Sequence, residues 1–387
     1  MKDVTMKLEL TDEQQMVQTM AREFAEGEIA PIAGEIDREA RYPHETVKRM
    51  GELGLMGIII PEKWGGAGAG AVAYTLALIE IAKACGSHAV IMSVNNSLYG
   101  EPIYKFGDDR LREKFLRPVA SGHEKGCFAL TEPQAGSDAT NQQTLAVRDG
   151  DHYVVNGRKV FVTNGREAFA ALVFCQTDRA KGHHGITALL IEKGTPGFLV
   201  PKTEDKLGIR ASDTAEFVFE DCRVPVANRL GEEGMGFRIA MSAIEAGRIG
   251  IAAQAVGLAT GAYERSLKYA RERKSFGVAI AQHQMVQWML ADMATTIEGA
   301  RLLTLRAATL KDAGQSYRTA ASMAKLFASE TAMKVTTDAI QVHGGYGYIK
   351  EYEVERYFRD AKITQLYEGT SQIQKLVIAR EVLGGRE

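Results

Sequence analysis

At 387 residues the chain is long enough for two or three domains around a large buried core. Its 47 lysines and arginines nearly balance 49 aspartates and glutamates, a formal net charge of -2, so no basic excess points to nucleic acid or to an anionic membrane surface. Cys85, Cys127, Cys175 and Cys222 are scattered singly, a pattern of buried thiols in a reducing compartment rather than of a disulfide framework. The N-terminus has no apolar signal core, and no uninterrupted apolar run approaches the ~20 residues of a membrane span, so the expectation is a soluble cytoplasmic protein without a nucleic-acid or membrane partner.

Thr11 with Gln14 forms a capping-box pattern, and Val17, Met20, Ala21 and Phe24 follow at helical spacing. Pro31 is expected to end that helix. Similar periodicity at 44–50, 72–85 and 109–116 predicts an all-α domain over 1–125. Within it, Gly65-Gly66-Ala67-Gly68-Ala69-Gly70 imitates a dinucleotide loop, but Pro61 and Trp64 interrupt any preceding strand, and neither the G-x-G-x-x-G spacing nor a βαβ context is met.

From Gly126 the pattern changes to short β-rich runs at 127–130, 153–155, 159–162, 171–174, 188–191 and 216–219. Asp149-Gly150 and Asn156-Gly157 are hairpin dipeptides, and no helical stretch alternates with the strands, which predicts an antiparallel sheet or barrel over 126–232. His183-His184 has no third ligand nearby in sequence, and adjacent loop residues point different ways, so no metal is expected there. No G-x-S-x-G elbow appears, and Cys127 and Cys175 sit in strand-like apolar runs, which leaves nucleophilic catalysis without support. Long helical patterns at 236–273, 281–312, 319–343 and 370–383 then predict a four-helix bundle over 233–387, with Met285, Met289, Leu290 and Met293 lining one core face. The fold class expected is α+β and multidomain: all-α, then antiparallel β, then helical bundle.

Three stretches carry candidate chemistry. Asp360 to Gln374 places Glu368 before Gly369 and before Thr370, an N-cap for the apolar run Ile373, Leu376, Val377, so a carboxylate stands on a turn beside a helix N-terminus that favours anions. Phe128 to Asp138 breaks from a strand into a loop of small and hydroxyl-bearing residues whose N–H and O–H groups suit a flat polar ring or a phosphate. Phe161 and Thr163 lie two positions apart, on one face of a strand.

With these stretches the chain resembles the acyl-CoA dehydrogenases, FAD-dependent enzymes, in FALTEPQAGSD (128–138), FVTNG (161–165), RKSFG (273–277), QVHGGYGY (341–348) and YEGTSQIQ (367–374). The order of segments and essentially the whole length agree, and GRIGIAAQAVG (247–257) adds a likeness to the short-chain, butyryl-CoA-type branch. The resemblance implies that Phe128, Leu130, Thr131, Gly136, Ser137, Phe161, Val162 and Thr163 cradle the flavin, with Thr163 bonding its N5. It implies that Arg273, Phe276, Gln284, Gln341, Gly344 and Gly345 hold the ADP half, partly from a neighbouring subunit, and that Thr370 and Gln372 also meet FAD. Ser137, Glu245, Arg248, Tyr367 and Gly369 would line the acyl-CoA channel. Phe161 is a departure, since many members carry Trp there.

Glu368 would be the base that removes the α-proton, with the thioester oxygen held by the backbone N–H of Glu368 and by a flavin hydroxyl, yielding a trans-2-enoyl-CoA in fatty-acid β-oxidation. In some branches the base stands on the first long helix of the C-terminal domain; the matching position here is Gly247, and Glu245 lies about 200° round the helix from it. A homotetramer and electron-transfer flavoprotein as acceptor complete the expectation. The alternatives are an acyl-CoA oxidase using oxygen and a non-catalytic binding protein on the same fold.

Overall fold

A computed structural model describes residues 9–384. The outer limits of the first and last expected domains, 1–8 and 385–387, lie outside the described residues. The N-terminal layer is helical: α1 (Asp12–Phe24), α2 (Ala30–Glu39), α3 (His44–Glu52), α4 (Gly70–Ala84), α5 (Gly86–Ser93), α6 (Glu101–Phe106), α7 (Asp109–Leu111) and α8 (Arg117–Ala120). The capping box forms as the sequence predicts, with Thr11 Oγ1 accepting from Gln14 N and Gln14 Oε1 accepting from Thr11 N. Pro31 does not end the helix. A π-helical turn (Ala25–Ile29) precedes it and Pro31 falls in the first turn of α2, where a proline's missing N–H costs nothing.

The middle layer is a sheet with strand order β6-β7-β3-β2-β4-β5-β8 and β1 beside β4. Its strands are β1 (Gly126–Ala129), β2 (Leu145–Asp149), β3 (His152–Thr163), β4 (Ala170–Gln176), β5 (Ile186–Glu192), β6 (Phe198–Thr203), β7 (Thr214–Pro225) and β8 (Arg229–Leu230). Most pairings are antiparallel, but β1 and β2 both run parallel to β4, which is buried along its whole length as its unbroken apolar run requires. Asp149-Gly150 does turn the chain from β2 into β3. Asn156-Gly157 does not; it lies inside the single strand β3, which joins the two runs read separately at 153–155 and 159–162, and marks a register shift against β7.

The C-terminal layer has α9 (Gly236–Glu272), a two-stranded ribbon of β9 (Lys274–Ser275) and β10 (Val278–Ala279), α10 (Gln284–Asp312), α11 (Arg318–His343), α12 (Val354–Ile363) and α13 (Ser371–Val382). The expected four helices are five among the described residues, α12 being the addition. Within α10, Leu290 and Met293 are buried as expected, whereas Met285 is exposed. Helix α9 is long and apolar enough to cross a membrane by length and composition, yet 78% of its apolar 18-residue window is buried, so it is the core helix of the bundle.

Candidate active site

The three layers meet in a small apolar cluster. Val90, Val94 and Leu98 come from the N-terminal helices, Phe128 and Ile209 from the middle layer, and Ala243, Ile363 and Tyr367 from the C-terminal helices. Glu368 follows Tyr367 in the turn between α12 and α13. Glu368 (φ 52°) and Gly369 (φ 91°) are both left-handed, an uncommon conformation for a residue with a side chain. Thr370 then caps α13, its Oγ1 accepting from Ile373 N at 3.3 Å.

The Glu368 carboxyl points at Gly247, about a third of the way along α9. A Cβ placed on Gly247 would overlap Glu368 Oε2 and stand 3.0 Å from a Leu98 methyl, so the vacancy at 247 is what admits the carboxylate. Oε2 is buried and has no hydrogen-bond partner among the described residues. Burial pushes the Glu368 carboxyl up to about 8, opposed by the Lys325 and Arg248 cations. Arg248 is only 6% exposed; it donates to Ser322 Oγ at 3.0 Å, and its Nε has no partner among the described residues. Glu245 is turned away, ion-paired with Arg318 at 2.5 Å. Tyr367 donates to Gln254, whose amide nitrogen donates to the Gly86 carbonyl at 2.9 Å and fixes that wall.

In the middle layer, Leu130 is buried, Phe128 and Thr131 are half-buried, and Gly136 and Ser137 are exposed. The loop after Thr131 is pinned from below by a fully buried pair. Lys159 Nζ donates to Glu132 Oε1 at 2.7 Å and to the Leu130 carbonyl at 3.1 Å, while Glu132 also accepts from the backbone N–H groups of Gln143 and Thr144 at 2.6 and 3.0 Å. Val162 is buried and Thr163 half-buried, but Phe161 is 66% exposed with φ 58° at a register shift between Lys159 and Val162. The two-residue period therefore does not set the direction of Phe161.

A different constellation forms at the far end of α9. Arg273, Gly344 and Gly345 line a groove of about 420 Å³ with Tyr269, His343 and Tyr346, and the Arg273 guanidinium lies 5.3 Å from the centre of the Tyr346 ring. A Cβ on Gly344 or Gly345 would meet nothing within 4 Å, which is the open backbone a phosphate-bearing cofactor can approach. Phe276, Gln284 and Gln341 are exposed, as is Gln372. Arg273 is 26 residues beyond Gly247, about 39 Å at ~1.5 Å per helical residue, so the structure does not bring Arg273 and Glu368 together within one chain.

The His183 and His184 rings do not point apart; their centres are 4.0 Å from one another, and among the described residues no group of three His, Cys, Asp or Glu is placed to hold a metal ion. Sequence reasoning missed Lys325. Its signal was present, since it stands four residues after Ala321 and three before Ala328, on the small-residue face of α11 that packs inward.

Comparison with known proteins accounts for nearly the whole chain. The models of the acyl-CoA dehydrogenase N-terminal, middle and C-terminal domains match residues 11–123, 127–222 and 234–383. A short-chain specific acyl-CoA dehydrogenase of Clostridium acetobutylicum is 52% identical over 377 residues, 97% of this chain and 100% of the relative. The structure of butyryl-CoA dehydrogenase from Megasphaera elsdenii superposes with a TM-score of 0.96 at 45% identity, over 98% of this chain and 100% of that one. A structure described as the electron transferring flavoprotein of Acidaminococcus fermentans, bearing on flavin-based electron bifurcation, gives a TM-score of 0.97 at 50% identity over 98% and 100%. With family models spanning all three layers and relatives of about half identity along the full length, the chain belongs to the acyl-CoA dehydrogenase family, FAD-dependent oxidoreductases acting on CH–CH bonds.

Proposed function

We propose that this protein dehydrogenates a short acyl-CoA to the trans-2-enoyl-CoA with Glu368 as the base, and that the buried, unpartnered Oε2 of Glu368 is the observation that carries the reading. A carboxylate taken out of water is a stronger base, and an oxygen with no hydrogen bond has a lone pair ready for the substrate α-proton. Arg248 and Lys325 face that carboxylate and compensate its charge in the dry pocket. The Glu368 backbone N–H donates to no group among the described residues, so it is available to the thioester oxygen as enolate character develops. Ser137, Tyr367 and Gly369 would complete the substrate channel. Glu245, ion-paired with Arg318, would border that channel beside Arg248 without facing the Glu368 carboxyl.

The chemistry that FAD supplies when bound is acceptance of the β-hydride. The middle-layer residues Phe128, Leu130, Thr131, Gly136, Ser137, Phe161, Val162 and Thr163 would hold its flavin, and Thr370 and Gln372 would add contacts. Arg273, Phe276, Gln284, Gln341, Gly344 and Gly345 would hold the ADP half. The open groove at Arg273, some 39 Å along α9 from the carboxylate, fits a cofactor shared between subunits of a homotetramer. A division at 1–125, 126–232 and 233–387 agrees with β1 opening at Gly126 and α9 at Gly236. The four buried free thiols suit the cytoplasm, and electron-transfer flavoprotein is the proposed acceptor.

Steady-state rates on straight, branched and dicarboxylic acyl-CoA thioesters, each with electron-transfer flavoprotein or oxygen as acceptor, test this. Butyryl-CoA with electron-transfer flavoprotein is expected to be fastest. Rapid hydrogen peroxide formation would make the protein an oxidase, and a purified protein without flavin absorbance would make it a binding protein.

A further inference from the structure

Lys325 is a buried cation to which the substrate chemistry above gives no contact with the reacting atoms. It lies on α11 with no solvent exposure, and its ammonium donates to the Gly369 carbonyl at 2.7 Å. That carbonyl belongs to the second of the two left-handed residues, Glu368 and Gly369, and such a turn persists only where its surroundings over-determine it. Gln374 on α13 donates to the same carbonyl at 2.9 Å and to the Glu368 carbonyl at 3.3 Å. One clamp on the turn is therefore neutral and the other charged. An ammonium has three N–H donors, and the Gly369 carbonyl is the single hydrogen-bond partner of Lys325 among the described residues.

We propose that Lys325 is a positioning residue for the reaction base: its ammonium clamps the Gly369 carbonyl, fixing the turn that aims Glu368, and its charge favours the carboxylate form of Glu368 against the opposing effect of burial. The proposal rests on the reading of Glu368 as base. Of the groups that face Glu368, Tyr367 in the same turn and Tyr74 on α4 are both pushed above their ordinary range by burial and stay neutral. The cations are Lys325 and, from α9, Arg248; Glu245 and Arg318 face Arg248 from beyond, and Glu330 on α11 faces Lys325. Among the described residues Arg248 donates to Ser322 and to no backbone carbonyl of the turn, whereas Lys325 joins charge to a bond on the turn itself. Burial pushes Lys325 down to about 8, and the Glu368 carboxylate opposes that shift.

The test compares Lys325→Met, Lys325→Arg and Gln374→Ala as FAD-loaded proteins between pH 6 and 10. One readout is kcat/KM with butyryl-CoA. The second, independent of turnover, is titration of the ¹³C-carboxyl glutamate resonance that disappears in Glu368→Gln. Losing the cation raises the pKa of a neighbouring carboxyl by about 1–3 units, so Lys325→Met should move both midpoints to higher pH and lower the rate at pH 7 about tenfold or more, with recovery at alkaline pH. Lys325→Arg should keep the midpoints, and Gln374→Ala should slow turnover without moving them. If Lys325→Met does not fold, Lys325→Gln, which keeps a donor without the charge, is read the same way. Unmoved midpoints in the neutral variants would overturn the proposal. A wild-type protein inert to acyl-CoA would instead sink the functional reading, while the resonance still decides the role of Lys325.

Discussion

The Glu368 turn and the Arg273 groove are expected to serve one reaction, yet they are built in opposite ways. The turn is half-buried, with the Glu368 Oε2 fully so, and side chains from distant parts of the chain hold it: Gly247 makes room, Lys325 and Gln374 hold the backbone, and Gln254 holds Tyr367. The groove is open, with Phe276 95% exposed and Tyr348 85% exposed beside it. Large aromatic surface of that kind around backbone with free space is the mark of a face awaiting another surface. The contrast teaches that the surroundings of the Glu368 carboxyl are packed on folding, whereas the Arg273 groove is left open, as the proposed sharing of a cofactor between subunits requires.

If that contrast holds, substitutions in the packed region cost stability and those in the open region cost cofactor. Of the buried parts of the molecule, the middle layer should show the largest stability effect, at Lys159, whose pairing with Glu132 pins the loop after Thr131 with neither side chain exposed to solvent. Breaking a buried ion pair from one side leaves an uncompensated charge, so Lys159→Met should lose about 3–5 kcal/mol in denaturant unfolding. A loss under about 1 kcal/mol would show that the loop is held by its other bonds alone. In the open region, Arg273→Ala should leave the melting of the cofactor-free protein unchanged and weaken FAD about tenfold to a hundredfold, since a charge-assisted bond to phosphate is worth about 1.5–3 kcal/mol. Full flavin retention after dilution and dialysis would return Arg273 to a helix-terminal charge.

The layered fold was largely legible in the sequence, because capping at Thr11 and Thr370, the apolar runs of the sheet and the long periodic stretches of α9 to α11 are local signals. What escaped depended on neighbours. Asn156-Gly157 reads as a hairpin until β7 pairs along both sides of it, and Pro31 reads as a terminator until a π-turn puts it in a first helical turn. Helix α12 escaped because its inward residues include Arg356 and Asp360, which are buried through contacts from distant parts of the chain, the Ala84 carbonyl and the Ile209 N–H. Lys325 escaped for the same reason, since the Gly369 carbonyl and the Glu368 carboxyl, both distant in sequence, make a buried lysine tolerable. The stretch around Glu368 was legible as a capped turn, but the burial of its carboxyl was not, and the proposed role as base rests on that burial.

A smaller effect sharpens the account of that burial. With the Glu368 carboxyl held up near 8, below that pH it is mostly protonated and cannot accept the α-proton, so kcat/KM should climb about tenfold from pH 7 to pH 9. By the same shift, the stability Glu368 contributes is full below about 4.5 and is lost as pH rises through about 8. A rate flat across pH 6 to 9 would mean that substrate binding leaves the carboxylate fully ionised throughout.

The most direct test of the central claim is anaerobic mixing of the FAD-loaded protein with butyryl-CoA while flavin absorbance is followed, comparing wild type with Glu368→Gln. The amide keeps the size and polarity of the side chain but cannot take a proton. The variant should fold, stay yellow and still bind the thioester, while its flavin bleaches at least ~100-fold more slowly than the wild type. Bleaching at near wild-type rate in Glu368→Gln would contradict the assignment of Glu368 as the base.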